Sequence, residues 1–231
     1  MKMVQDPSRR TLFAAALLPG LERLLEPFSK LGNVRRSSWD DWFRAIRNDD
    51  VQACRALLAR GFDVNTVEAD RFDTGIIIAV RERATKVFRL LIDTPGIDVD
   101  ARSRNGDTAL MVAAFLPDAV AVQALLERGA EVNRPGWTPL HYAASSGSVL
   151  VIRVLLDHHA YIDAESPNKT TPLMMAARAG RREAVQYLLD EGADLSLKNE
   201  LGLNAVDFAR AQGHSDIAAA LDARLQQAAR P

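Results

Sequence analysis

Gly136-Trp137-Thr138-Pro139-Leu140-His141-Tyr142-Ala143-Ala144-Ser145-Ser146-Gly147, continued by Ser148-Val149-Leu150-Val151-Ile152-Arg153-Val154-Leu155-Leu156-Asp157-His158-His159-Ala160, states one complete structural unit. Thr138 is of the type that caps a helix, and Pro139 suits the first helical position, where its missing N–H and fixed φ do no harm. A helix is therefore predicted to start at Pro139. Leu140, Ala143 and Ala144 let neighbouring helices approach closely, and Gly147 supplies the left-handed conformation that ends a helix. Val149, Ile152, Leu155 and Leu156 recur at i, i+3, i+6 and i+7, which predicts one buried stripe on a second helix. The unit reads as a helical hairpin.

The chain restates this unit. Thr108-Ala109-Leu110 with Ala113-Ala114, Thr171-Pro172-Leu173 with Ala176-Ala177, and Asn204-Ala205-Val206 with Ala209 are further copies, and Thr74-Gly75-Ile76 with Ala79-Val80 is a degenerate one. The starts at Thr74, Thr108, Thr138, Thr171 and Asn204 are separated by 34, 30, 33 and 33 residues. At the short step Asn133-Arg134-Pro135-Gly136 replaces a longer connector, which reads as a truncated finger with both flanking helices kept. The run from Thr138 to Ala143, T-P-L-H-x-A, and its restatements at a period of about 33 residues resemble the ankyrin repeat from about Trp39 to Leu225. That resemblance implies an all-α solenoid of helix-turn-helix units with short β-hairpin fingers, built from about six repeats including two caps.

Composition agrees with one repeat-built domain. The 231 residues are 48% hydrophobic, and 29 basic against 30 acidic side chains leave a net charge of −1. Such a balance gives no electrostatic case for nucleic acid or an anionic membrane, and fits a neutral protein partner better; the chain is expected to be monomeric. The single Cys54, beside Leu57 and Leu58 on a helical face, reads as a small buried hydrophobe and has no partner for a disulfide within the chain.

Residues 1–37 fall outside the repeat pattern. Ser8-Arg9-Arg10-Thr11-Leu12-Phe13 ahead of Ala14-Ala15-Ala16-Leu17-Leu18 resembles a twin-arginine export signal, which implies a periplasmic or otherwise exported product. Pro19-Gly20 and Glu22-Arg23 interrupt the apolar run and no Ala-x-Ala site precedes Trp39. The alternative is a cytoplasmic chain with an amphipathic N-terminal helix striped by Leu17, Leu21, Leu24, Phe28 and Leu31. The run is too short to stay as an integral membrane segment. The repeat domain is expected over 38–226, with Ser38 as its first cap and Trp42, Phe43 and Ile46 on one face, and 227–231 as a tail. In the second unit Gly75 replaces the proline, Ile77 the histidine and Arg83 the helix-ending glycine, so lower local stability is expected there; in the third, Pro117 must stop the first helix.

No phosphate-binding loop, serine elbow, Cys–His pair or metal-ligand spacing emerges, so neither catalysis nor a cofactor nor a metal is expected. Thr138, Pro139 and His141 are read as structural, and the resemblance implies that the His141 ring bonds the capping threonine and neighbouring loop backbone. His159 falls at a left-handed position, which histidine tolerates better than most residues, and His214 is the turn histidine before a second helix. The resemblance also implies a concave docking face made by finger tips and first helices. By register its candidates are Arg71, Phe72, Arg104, Asn105, Asp107, Arg134, Trp137, Asn168, Thr170 and Glu200 from fingers, with Arg81, Phe115, Ser145, Ser146 and Arg178 from first-helix ends. Trp137 carries the most information, as either an anchor of the kind enriched at hot spots or a shield over the short finger. The function expected is a non-catalytic module binding a protein, similar to short exported bacterial ankyrin proteins. The alternative is a structural or chaperone-like subunit holding a partner enzyme in the cell envelope.

Overall fold

The computed structural model describes residues 38–228. The predicted export signal or amphipathic helix of residues 1–37 lies outside the described residues. Two compact units divide between Trp42 and Phe43. In the first, the described residues 38–42 are helical and Trp42 is buried.

The unit from Phe43 onward is all-helical. After α1 (residues 38–47) come α2 (Val51–Ala59), α3 (Gly75–Arg81), α4 (Thr85–Ile92), α5 (Ala109–Phe115), α6 (Ala119–Glu127), α7 (Pro139–Ser146) and α8 (Val149–Asp157). They are followed by α9 (Pro172–Arg178), α10 (Arg182–Asp190), α11 (Ala205–Ala211) and α12 (Ser215–Ala228). The pairs α3/α4, α5/α6, α7/α8, α9/α10 and α11/α12 are hairpins. Each first helix packs on the next, α3 on α5, α5 on α7, α7 on α9 and α9 on α11, while α6, α8 and α10 form a parallel row of second helices.

The first helices are too short to hold in water alone, and their stability comes from packing. In α5 every residue from Ala109 to Ala114 is buried, and alanines at Ala113, Ala114, Ala143, Ala144, Ala176 and Ala177 have almost no exposed surface. Local caps fix where each helix begins. The Thr108, Thr171 and Asn204 side chains accept from Met111, Met174 and Asp207 N–H, and Asp50, Asp118 and Ser148 do the same for α2, α6 and α8. At the turns Gly147 adopts φ +86° as expected, and Arg83 and His159 take left-handed positions at φ +56° and +64°. α5 stops at Phe115, two residues before Pro117, and both helices flanking the short finger at 133–136 are present.

The fingers are hairpin turns with almost no ladder. Ser103, Ser166 and Asn199 N–H donate to Asp107, Thr170 and Leu203 carbonyls at 2.9, 3.0 and 2.9 Å, and among the described residues β pairing is confined to an isolated bridge between Val67 and Thr74. A ladder of side chains ties the fingers to one another. Asn65 Oδ1 accepts from Asp98 N–H at 2.8 Å, Asp100 from Glu131 N–H at 3.0 Å, Asn133 from Tyr161 N–H at 2.8 Å and Asp163 from Asp194 N–H at 3.0 Å. The asparagines also donate, Asn65 to the Gly96 carbonyl and Asn133 to that of His159.

Three details differ from the sequence expectation. On α8 the buried residues are Val151, Ile152 and Leu155, while Val149 and Leu156 are only half-buried, Val149 at the wall of an open hollow. Ser38, read as a cap, is itself helical. α12 runs on to Ala228, past the expected start of the tail.

Candidate functional site

The N-terminus of α7 shows what the central histidine does. The His141 ring, 1% exposed, accepts at Nδ1 from the Thr138 backbone N–H at 3.1 Å, with the Thr138 hydroxyl 2.9 Å away, and its Nε2 meets the Thr170 carbonyl of the next finger at 2.9 Å. An accepting Nδ1 leaves the proton on Nε2, which donates to Thr170, so this is a neutral imidazole. Burial is the main cause that holds its pKa down at about 4, against the pull of its backbone bonds. His141 therefore links the cap of one repeat to the finger of the next and has no ring nitrogen left for catalysis.

Beside it opens a hollow of about 300 Å3 lined by Phe115 of α5, Trp137, His141, Tyr142 and Ser145 of the α7 segment, and Met175 and Arg178 of α9. Phe115 stands edge-on to Tyr142 with ring centroids 6.5 Å apart, and Trp137 edge-on to His141 at 5.2 Å. Both walls are open to solvent, Phe115 being 53% and Trp137 37% exposed. The Tyr142 hydroxyl donates to Asp107 at 2.6 Å, and burial, helped by this bond and the Asp107 charge, raises the phenol's pKa.

Asp107 also lines a second hollow, of about 240 Å3, with Arg71, Arg81, Arg104, Asn105, Asp70 and Asp73. Here Arg81 Nε donates to the buried Asp73 at 3.2 Å, and the Arg104 guanidinium lies 4.6 Å above the Phe72 ring. Nine of the register-chosen candidates thus converge on two hollows joined by the Tyr142–Asp107 bond.

The remaining candidates are placed differently. Phe72 is exposed beneath Arg104, at φ +53°. Asn168 and Glu200 are exposed on neighbouring finger tips, bonded through Glu200 N–H to the Asn168 carbonyl at 3.1 Å. Arg134 donates to Glu131 at 2.6 Å and to the Asp100 carbonyl at 3.3 Å. The Ser146 hydroxyl donates to the Ala143 carbonyl at 2.9 Å. Thr170 is buried, and its carbonyl receives His141. Tyr142 and Met175 line the hollow without having been singled out in the sequence; both stand directly four residues after a capping threonine, at the variable position of the motif, and that register was the available signal.

A larger hollow, about 530 Å3, sits on the second helices, lined by Val149, Val185, Tyr187, Leu189, Ile217 and Leu221 among others, and holds none of the candidates. Ion pairs of Arg182 with Asp216 and of Arg224 with Asp190 span α10 and α12 there. Cys54 is fully buried, and burial, helped by Asp50 and Asp49, pushes its thiol up to about 12. Among the described residues no three His, Cys, Asp or Glu side chains gather as metal ligands, and no helix is long and apolar enough to cross a membrane.

These hairpins, most of them capped by threonine at the first helix and stacked in two rows, are those of a helical repeat protein. The sequence profile described as Ankyrin repeats (3 copies) matches residues 42–135, 76–166, 121–199 and 159–222, and the chain belongs to the ankyrin repeat family. It is similar to transient receptor potential cation channel subfamily A member 1 of Homo sapiens, 30% identical over 162 residues, covering 65% of this chain and 14% of that protein. It is also similar to neurogenic locus notch homolog protein 1 of Xenopus tropicalis, 38% identical over 122 residues (51% of this chain, 5% of that one), and to SH3 and multiple ankyrin repeat domains protein 2 of Homo sapiens, 31% identical over 166 residues (70% and 9%). The chain thus spans only a small part of the length of these relatives. Ankyrin repeats generally mediate protein–protein interaction.

Proposed function

We propose that the chain is a non-catalytic module that binds a protein on the concave face which fingers and first helices make in this repeat family. The observation that supports this reading is the joining of the two hollows by the Tyr142–Asp107 bond. Phe115 and Trp137 are exposed there, and large aromatics at such positions are the type enriched among binding anchors. The anchor role of Trp137 also fits its edge-on packing on His141, which holds the indole in place before a partner arrives. Within this reading residues 1–37 serve as an export address for the array.

Co-purification from cells, with the captured protein then titrated against purified variants, tests the docking face. Trp137→Ala weakens binding by about 2 kcal/mol or more, while Gln186→Ala, in the hollow of the second helices, leaves it unchanged. The reverse pattern would transfer the site to α10 and α12 and overturn the proposal.

A further inference from the structure

Three apolar walls and one cation define what the hollow between α5, α7 and α9 can hold. Phe115, Trp137 and Tyr142 give large ring surfaces, and Met175 adds an adaptable thioether. Arg178 is the one lining residue that carries a net charge, since the His141 ring is neutral and both its nitrogens are engaged. Arg178 is exposed, and among the described residues its guanidinium has neither ion pair nor hydrogen bond. The Ser145 hydroxyl is likewise unengaged, while the Tyr142 hydroxyl is committed to Asp107. The Arg178 guanidinium offers donors alone and the Ser145 hydroxyl can donate beside it, so an anionic acceptor suits both.

We infer that this hollow receives a protein segment in which a large apolar side chain stands beside a carboxylate, the apolar group entering between Phe115 and Trp137 and the carboxylate pairing with Arg178. This deepens the docking-face reading and rests on it. A polypeptide is favoured over a small organic acid because a second hollow lies beside the first, its Asp107 accepting from the first hollow's Tyr142, so that an extended segment can reach both. There the charges nearly cancel, with Arg81 held by Asp73 and with Arg71 and Arg104 set against Asp70 and Asp107, so a polar stretch of the same segment suits it. Charge selectivity is thus concentrated at Arg178, where a guanidinium can grip a carboxylate with two parallel bonds.

The test is selection of a random-peptide display library on the full chain, followed by titration of the selected peptides by fluorescence anisotropy. Selected sequences should be enriched in Asp or Glu next to Phe, Leu, Ile or Trp. Arg178→Glu should weaken the acidic peptides by about tenfold or more and reverse the preference toward Lys and Arg, whereas Arg178→Lys should keep the preference for acids. Arg178 makes no ion pair among the described residues, so melting curves of these variants should overlay that of the parent chain. Peptides that need Trp137 yet show no acidic preference, or a preference unmoved by Arg178→Glu, overturn the inference and leave the docking face intact. Peptides indifferent to both Trp137→Ala and Phe115→Ala overturn the docking face as well.

Discussion

Protonating His141 should dismantle its own link between repeats. The ordinary imidazole pKa is 6.5 and the buried ring is held at about 4, so the folded chain resists a proton that the unfolded chain accepts. A histidine whose folded pKa is lowered contributes stability that is fully present above pH 6.5. It is lost progressively as pH falls from 6.5 toward 4, at up to about 1.4 kcal/mol for each pH step, or roughly 3 kcal/mol across the window. The structural cause is concrete: a proton on Nδ1 would face the Thr138 N–H 3.1 Å away, donor against donor. Urea melts of the full chain at pH 7.5 and 4.5 measure the loss, with His141→Ala as the comparison. That variant should be less stable by about 2–3 kcal/mol at pH 7.5, because Thr138 N–H and the Thr170 carbonyl lose their buried partner, and it should show a pH dependence smaller by about the same amount. If parent and variant lost stability in parallel between the two pH values, the neutral buried ring would be the wrong account.

Thr74→Val should be neutral or stabilise by about 1 kcal/mol, since the Thr74 hydroxyl is buried without a partner, whereas Thr108→Val should destabilise by about 1 kcal/mol by removing the cap that accepts from Met111 N–H at 3.3 Å; chemical denaturation compares them. Gly192→Ala, with open space around the new methyl, should cost about 1–2 kcal/mol for its left-handed backbone alone, while Gly180→Ala should cost more because its methyl would lie 2.5 Å from the His214 ring, an excess that His214→Ala should remove in a thermal melt. Asp163→Ala should cost about 1 kcal/mol by leaving Asp194 N–H without its acceptor, and hydrogen exchange at Asp194 should rise. For residues 1–37, the mature N-terminus sequenced from fractionated cells should begin between about Gly20 and Ser38 in an exported fraction; an intact Met1 on a cytosolic product would refute export.

What could be read in advance was what is local. A threonine cap, a proline at the first helical position and a helix-ending glycine act within a few residues of themselves, so Thr138, Pro139 and Gly147 announced α7 in the sequence. The rows followed because the spacing of such caps repeats. What joins residues some thirty positions apart left no local trace. The Asn65, Asp100, Asn133 and Asp163 ladder and the Tyr142–Asp107 bond exist only once the repeats are stacked, and any of these side chains, taken alone, reads as a solvated polar residue. Register also misjudged Thr170 as surface. It precedes a cap, as Trp137 does, but its carbonyl has to face inward to meet His141, and the side chain is buried with it.

The second unit shows how the stack carries a repeat whose own signals fail. Ile77 stands where α7 has His141, and a hydrocarbon can neither return a bond to the cap nor reach the next finger. Ala84, at the start of α4, cannot cap it. The missing bond comes from the preceding turn, where Asp49 Oδ1 accepts from Val87 N–H at 2.8 Å across 38 positions of sequence. The isoleucines Ile76, Ile77 and Ile78 are all buried, so apolar packing replaces the polar link that was lost. In a repeat array stability is shared with the nearest neighbours, and α3 and α4 therefore depend on α2 and α5 more than α7 and α9 depend on theirs. The division bears on the docking face proposed above. The aromatic hollow with Arg178 is built on α5, α7 and α9, whose helices each start from a threonine of their own that caps them, while the charged hollow takes Arg81 and Asp73 from the unit that its neighbours hold in place. On the docking reading proposed above, the caps of α5, α7 and α9 would hold the rings that grip a partner, whereas the charged hollow would depend on neighbouring units to keep its Arg81–Asp73 pair in place.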